Sequence, residues 1–512
     1  MAVIQEEPPG PDGLWGLVRR AARLRPDAVV LADDHGRSLS ALAFHDEAER
    51  AAAGLWELGV RPGEVVSWQL PTVLEAAVLL AACARLGAVQ NPVVPILRER
   101  EVGFIAGQVG PRLLVVPERW QGFEHGAMAR RLVPRTLVLD LGKPPSGPGI
   151  RLPAGDLGVL PGPPADPAAC RWIYYSSGTT ADPKGVRHCD AGLIAAALGA
   201  IEHQQRNPAD VSPVAWPFAH IGGVSLLASV LTAGGRLVFF DAFDPQAGPG
   251  RMAAHRPTIL GSATPFFQAF IAAQRRHGDR PLFPALRVCL SGGAAVPETV
   301  NREVADVLGV PGVFAAWGLT EFPIATSETP ADPGAGTTVG RPTPGVSVRV
   351  VDGELRLKGP QCFLGYVDPA LDADAFDEDG WFRTGDLGHV GGDGRVRISG
   401  RLKDVIIRNA ENVSALDVEN VVLRHPAVTD AAVVGVPDPR TGERVCAVVV
   451  LRSGHELTLA DLSAHCLAEG LARYKTPERL VVTTLLPHNP MGKILKHELR
   501  ARLTAESDAQ NI

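Results

Sequence analysis

The sequence predicts an α/β protein: a large N-terminal multi-layer α/β portion with a β-rich end, then a small α+β domain. Three observations carry this. Apolar strand-like runs alternate with Ala-rich helical patterns through the first three quarters of the 512 residues. From about Val346 the texture turns to short alternating strands with tight turns, and after Arg401 a second, smaller set of elements begins.

In the first portion, 64–69, 236–240, 287–290 and 313–316 read as strands, and 74–86 and 297–308 as helices. Such alternation stacks helices on mostly buried sheets. The Pro- and Gly-rich stretch 144–167 reads as a surface connection. Asp352-Gly353 predicts a hairpin within 348–358, and Gly392-Asp393-Gly394 a second within 389–399. Beyond it follow a strand at 405–407, a helix at 415–424, strands at 430–436 and 443–451, and a helix at 459–469. The expected domains are therefore 1–400 and 401–512, with a hinge near 399–404.

Composition sets the bounds. Hydrophobic residues at 46% and charged residues at 21% suit a globular protein with a large core. A net charge of −6 offers no basic footprint, so no nucleic-acid partner is expected. The seven cysteines form no CxxC pair and no metal-ligand spacing, which points to buried thiols in a reducing cytoplasm. The N-terminus is acidic and rich in Pro and Gly, unlike a signal peptide. The apolar stretches 74–84 and 224–240 are short or interrupted by Arg85 and Arg236, whereas a membrane helix needs about twenty clean residues. No integral membrane segment is expected.

Lysine occurs only at 143, 184, 358, 403, 475, 493 and 496, against a background of arginine. In such a sequence a retained lysine suggests a need for a compact, flexible ammonium. Lys184 falls in Tyr174-Tyr175-Ser176-Ser177-Gly178-Thr179-Thr180-Ala181-Asp182-Pro183-Lys184-Gly185. Hydroxyls and backbone N–H groups of such a loop can wrap phosphate oxygens while the ammonium adds charge. A Walker loop is excluded by order, because it requires Gly-Lys followed by Ser or Thr.

This run resembles the signature loop of the adenylate-forming superfamily, which includes acyl-CoA synthetases, nonribosomal-peptide adenylation domains and firefly luciferase. Ala181 stands where the family usually has Gly. The likeness extends over nearly the whole chain and is greatest to fatty-acid or related acyl-CoA ligases. It implies that the N-terminal domain binds nucleotide and acid, and that a mobile C-terminal domain completes catalysis. By resemblance Ser176, Ser177, Gly178, Thr179, Thr180 and Lys184 bind ATP phosphates. Trp317-Gly318-Leu319-Thr320-Glu321 is similar to the second family motif, implying adenine stacking by Trp317 (commonly Tyr), α-phosphate contact by Thr320 and Mg²⁺ ligation by Glu321. One carboxylate beside phosphate oxygens and waters suffices for magnesium.

Ser291-Gly292-Gly293-Ala294-Ala295 resembles the loop that floors the site, with Gly293 and Ala294 toward adenine and Gly292 toward the acid. Asp386, in Thr384-Gly385-Asp386, and Arg401 match the ribose contacts. Lys493, in Pro490-Met491-Gly492-Lys493, resembles the lysine bridging substrate carboxylate and α-phosphate, and Lys403 the pivot on which the small domain turns. Asn409, Ala410 and Glu411 fall on the thiol-facing segment, where many CoA ligases carry Gly-Gly at 409–410. Lys475 is a candidate for CoA phosphates.

For the acid, the matching stretch runs from Trp216 to Leu226 and contains no carboxylate, so an ammonium-bearing amino acid would lack a partner. Phe218, His220, Ile221, Gly222 and Gly223 suggest an apolar pocket, with His220 similar to a gating histidine of the family. The resulting expectation is an AMP-forming acid–CoA ligase using ATP, CoA, Mg²⁺ and a fatty, aryl or cyclic acid. Two alternatives stand beside it: an acyl-AMP ligase loading a separate carrier protein, and a catalytically silent adenylate-binding module.

Overall fold

The computed structural model describes residues 13–142, 149–176, 183–293, 296–330, 337–409, 411–438, 440–489 and 492–510. Ser177, Gly178, Thr179, Thr180, Ala294 and Ala410 lie outside the described residues.

Five sheets organise these residues. A six-stranded sheet runs Thr136–Leu139, Leu113–Pro117, Val65–Trp68, Val89–Pro92, Cys170–Ser176 and Lys184–Cys189, parallel except at its last pair. A four-stranded sheet places Arg236–Phe239 between Val29–Asp33 and Val211–Val214, all parallel. Ile259–Ser262, Val288–Gly292 and Val313–Trp317 form the parallel part of a third sheet. A four-stranded antiparallel meander of Ser347–Val351, Glu354–Lys358, Phe382–Val390 and Val396–Arg401 is the β-rich end. The last sheet, built on Val428–Asp438 and Gly442–Leu451, follows a single 3₁₀ turn, Leu402–Asp404.

Parallel strands need both faces covered. Helix Leu74–Leu86 supplies cover and is buried at all 13 positions, as an all-round apolar helix must be. Its two charges are neutralised in place: Arg85 bonds Glu49 through Nε at 2.8 and 3.0 Å, and Glu75 receives Arg37 at 2.7 Å. Gly87, with φ +69, ends it in the left-handed conformation that glycine adopts freely. Among the described residues no helix is long and apolar enough to cross a membrane.

Several elements differ from expectation. Helix 415–424 stops at Val422, where Leu423 caps it. Residues 411–414, for which no element was anticipated, form strand Glu411–Ser414, paired with Val405–Arg408. Strand Arg479–Thr483 and helix Lys496–Gln510 were not anticipated; the strand reads as loop because it lies beside Pro477 and buries little on its own. The connection 149–167 is, as expected, half-buried to exposed, and touches helix Ala41–Glu57 where the Gly155 N–H donates to the Arg50 carbonyl at 3.2 Å.

Candidate active site

The C-terminal ends of parallel strands meet here, as in other open α/β sheets. Cys170–Ser176 and Lys184–Cys189 pair antiparallel with Ser176 opposite Lys184. Val288–Gly292 delivers Gly292 and Gly293; a Cβ at either would meet nothing within 4 Å, so both face open space. Val313–Trp317 leads into Gly318, where a Cβ would lie 2.9 Å from the Phe322 carbonyl oxygen. Only glycine lets the chain turn that tightly before Thr320 and Glu321.

Glu321 is buried, and its Oε1 accepts from Tyr366 Oη at 2.9 Å and Ser176 Oγ at 3.3 Å. Burial, together with the Glu321 and Asp372 charges, holds the Tyr366 phenol well above its ordinary pKa, so it acts as a neutral donor. Thr320 is held from behind. Its carbonyl is 2.7 Å from His188 Nε2, and burial drops the imidazole to about 4. A neutral ring bonded to a carbonyl carries its proton on Nε2. Neither Tyr366 nor His188 stood out in the sequence, since a Tyr or His in a strand-rich region ordinarily signals packing.

Asp386 is 2% exposed and doubly engaged. Trp317 Nε1 donates to its Oδ2 at 2.8 Å, and Arg401 Nε lies 2.8 Å from Oδ1. Trp317, expected for adenine stacking, thus also orients the expected ribose carboxylate. Lys493 comes from the C-terminal region into reach of Arg401, Lys403, Asp386 and Asp404. Burial, aided by the two cations, brings its ammonium down to about 8. Lys403 is lowered by burial and by Arg401. Gly492, φ +76, packs on Ala263 and Pro265, beyond the end of Ile259–Ser262.

The expected acyl-pocket residues divide. Phe218 and Ile221 are buried in the main core, Phe218 against Phe239 at 4.8 Å between ring centroids. Gly223 is required locally, because a Cβ there would run into the Phe218 carbonyl oxygen. His220 caps helix Ile221–Ala233, its Nδ1 accepting from the Gly222 N–H at 3.2 Å, and burial lowers its pKa to about 4. Trp216, half-buried, lies with His220 beside Gly222. The described residues expected to face the thiol, Asn409, Glu411 and Lys475, lie elsewhere on the small domain. Asn409 takes φ +49, a conformation Asn tolerates better than most residues, and Glu411 is exposed. Lys475 pairs with Asp417 at 3.5 Å. Its neighbours Arg473 and Tyr474 line a cleft of about 450 Å³ with Arg408, Thr476 and Glu478.

Among the described residues no three His, Cys, Asp or Glu side chains cluster to hold a metal. A lone Glu321 with one oxygen committed to hydroxyls fits a cation that takes its other ligands from phosphate and water, as magnesium does.

Residues 18–367 match the family model described as AMP-binding enzyme, and 417–493 that of the AMP-binding enzyme C-terminal domain. The chain is 33% identical to a sulfoacetate–CoA ligase of Cupriavidus necator, over 96% of this chain and 98% of that one. It is 30% identical to a medium-chain fatty-acid–CoA ligase of Escherichia coli, over 95% and 91%. The ATP-bound structure of MatB from Rhodopseudomonas palustris superposes with a TM-score of 0.82 at 27% identity, covering 95% and 99% of the two chains. Matched over most of its length, and with Ser176 bonded to Glu321 and both Trp317 and Arg401 on Asp386, the chain belongs to the adenylate-forming AMP-binding enzymes.

Proposed function

We propose that this protein is an ATP- and magnesium-dependent carboxylic acid–CoA ligase, forming acyl-AMP and pyrophosphate and then acyl-CoA and AMP. The observation that carries the reading is the convergence of Lys493 with Asp386, Arg401 and Lys403, where Asp386 is itself held by Trp317 and Arg401. Attack of a carboxylate on the α-phosphorus brings two anions together, and positioned positive charge lowers that barrier. In this reading Asp386 and Arg401 fix the ribose, Thr320 and Lys493 grip the α-phosphate, and the Lys493 ammonium also draws in the carboxylate oxygen. Magnesium, held by Glu321, supplies charge neutralisation on the phosphates. Pyrophosphate then leaves toward Lys184 and the phosphate loop.

The thioester step needs a different group at the acyl carbonyl. The Leu402–Asp404 turn between the last two sheets serves as the pivot, with the domain boundary near 400. Rotation withdraws Lys493 and brings Asn409 and Glu411 to the thiol. The left-handed backbone at Asn409 supports a turn of the kind Gly-Gly makes in many CoA ligases. The relatives named for a sulfonated acid and for a fatty acid divide on the substrate. The Trp216–Leu226 stretch, without a carboxylate, favours an apolar acid over an amino acid.

Pyrophosphate release across a panel of acids, with and without CoA, tests the reading. Thioester with free CoA is expected. Acyl-AMP that passes only to a carrier protein would replace CoA as acceptor, and no turnover with any acid would leave a silent module. Lys493→Ala is expected to abolish adenylation while supplied acyl-AMP still yields thioester; equal loss of both steps refutes this division.

A further inference from the structure

Tyr366 touches three parts of the site at once. Its Oη donates to Glu321 Oε1 at 2.9 Å. Its ring lies 5.3 Å from the Lys184 ammonium, within cation–π range. Its backbone forms an isolated bridge with Val186, while Val367 N–H donates to the Gly185 carbonyl at 2.7 Å and Arg187 N–H to the Gly365 carbonyl at 3.1 Å. The strand that ends the phosphate loop is therefore tied to the same tyrosine that holds the metal carboxylate.

The carboxylate itself is asymmetric. Oε1 receives both Tyr366 and Ser176, whereas Oε2 accepts no hydrogen bond among the described residues. The Glu321 carbonyl is also fixed, by the Phe363 N–H at 2.9 Å. Magnesium requires a near-octahedral shell at short distance, which the narrow bite of a two-oxygen carboxylate distorts; calcium, larger and less regular, accepts two oxygens readily.

We propose that Tyr366, with Ser176, is a positioning residue that restricts Glu321 to single-oxygen ligation and so selects magnesium over calcium, while its ring sets Lys184 beside the same phosphates. The inference rests on the adenylation reading above.

Tyr366→Phe removes only the hydroxyl. It keeps the ring under Lys184 and against Phe363, whose centroid is 4.9 Å away. Manganese binding in the presence of a non-hydrolysable ATP analogue, followed by electron paramagnetic resonance, reads the site without turnover. Titration of magnesium and calcium against that signal gives selectivity. Tyr366→Phe is expected to weaken manganese binding about tenfold, the scale of a hydrogen bond to a charged group. It should also narrow the preference for magnesium over calcium, with little change in the melting temperature of the free protein. Ser176→Ala, reaching the same oxygen from the other side, should move selectivity in the same direction by less. Tyr366→Leu should in addition weaken nucleotide binding by removing the ring from Lys184.

Wild-type metal affinity and selectivity in both Tyr366→Phe and Ser176→Ala would overturn the proposal and leave the ligase reading intact. Should Tyr366→Phe fail to fold, unchanged selectivity in Ser176→Ala alone overturns it. A wild-type protein that binds no manganese–nucleotide complex would instead overturn the ligase reading, and this inference with it.

Discussion

The ammonium of Lys493 shares its surroundings with Arg401 and Lys403 on one side of the charge balance and Asp386 and Asp404 on the other. Burial is the largest influence and, with the two cations, brings the group down to about 8. A lowered lysine is charged below its pKa and loses the charge as pH rises through it. If adenylation needs the ammonium, kcat/KM for ATP, which reports the free enzyme, should fall about tenfold per unit above pH 8. Lys493→Arg retains a charge at every accessible pH and should lower the rate while flattening that limb. An unchanged limb in the variant would assign the titration to another group. The sequence made this lysine conspicuous through scarcity and motif, and its motifs named Arg401 and Lys403 for other roles without disclosing that both cations act on Lys493. Asn409 illustrates the reverse case: a departure from Gly-Gly in sequence that the backbone absorbs at φ +49.

At the level of elements, periodicity was informative wherever one element supplied its own reason to fold. Helix Leu74–Leu86 was legible end to end, because apolar residues fill it and Gly87 stops it. Strand Arg479–Thr483 was not, because its stability comes from pairing parallel to Gly442–Leu451, a contact that a local reading cannot see. The charges inside buried helices were likewise misleading as interruptions. Arg85 breaks the apolar run in sequence but is neutralised in the core by Glu49, and Glu75 by Arg37, which also bonds Asp33 at 2.7 Å. Removing one member of such a buried set leaves a charge without its full compensation. Glu75→Gln should therefore destabilise the protein by about 3 kcal/mol. Glu99→Gln, which breaks the exposed pair with Arg131, should leave the melting temperature essentially unchanged. Equal shifts in the two thermal melts would mean that burial does not set the value of these pairs.

Across the whole molecule, the proposed site draws on residues as far apart in sequence as Lys184, Glu321, Asp386 and Lys493, which family motifs nominated. What remained hidden were the supports, Tyr366 and His188, whose roles exist only once distant segments meet. The same holds for the contacts that bring the C-terminal domain to the N-terminal one. Two of these differ in kind. Arg424 meets Glu298 at 3.2 Å, with both side chains more than 40% exposed, so the pair is worth about 1 kcal/mol or less. Gly492 instead sits where a Cβ would lie 2.8 Å from Ala263 Cβ and 3.2 Å from Pro265 Cδ, at a φ of +76 that disfavours any side chain. Arg424→Ala should then slow acyl-AMP formation by at most about fivefold, the equivalent of that pair energy. Gly492→Val must push Lys493 away from Asp386 and should cost adenylation far more, by about a hundredfold or greater if displacement by roughly 1 Å misplaces the ammonium. If the proposed rotation parts Gly492 from Ala263 and Pro265, thioester formation from supplied acyl-AMP should survive in Gly492→Val. Burst measurements of acyl-AMP, set against single-turnover thioester formation, decide the matter: a larger adenylation defect in Arg424→Ala than in Gly492→Val would place control of the arrangement in the surface ion pair rather than in the close backbone contact.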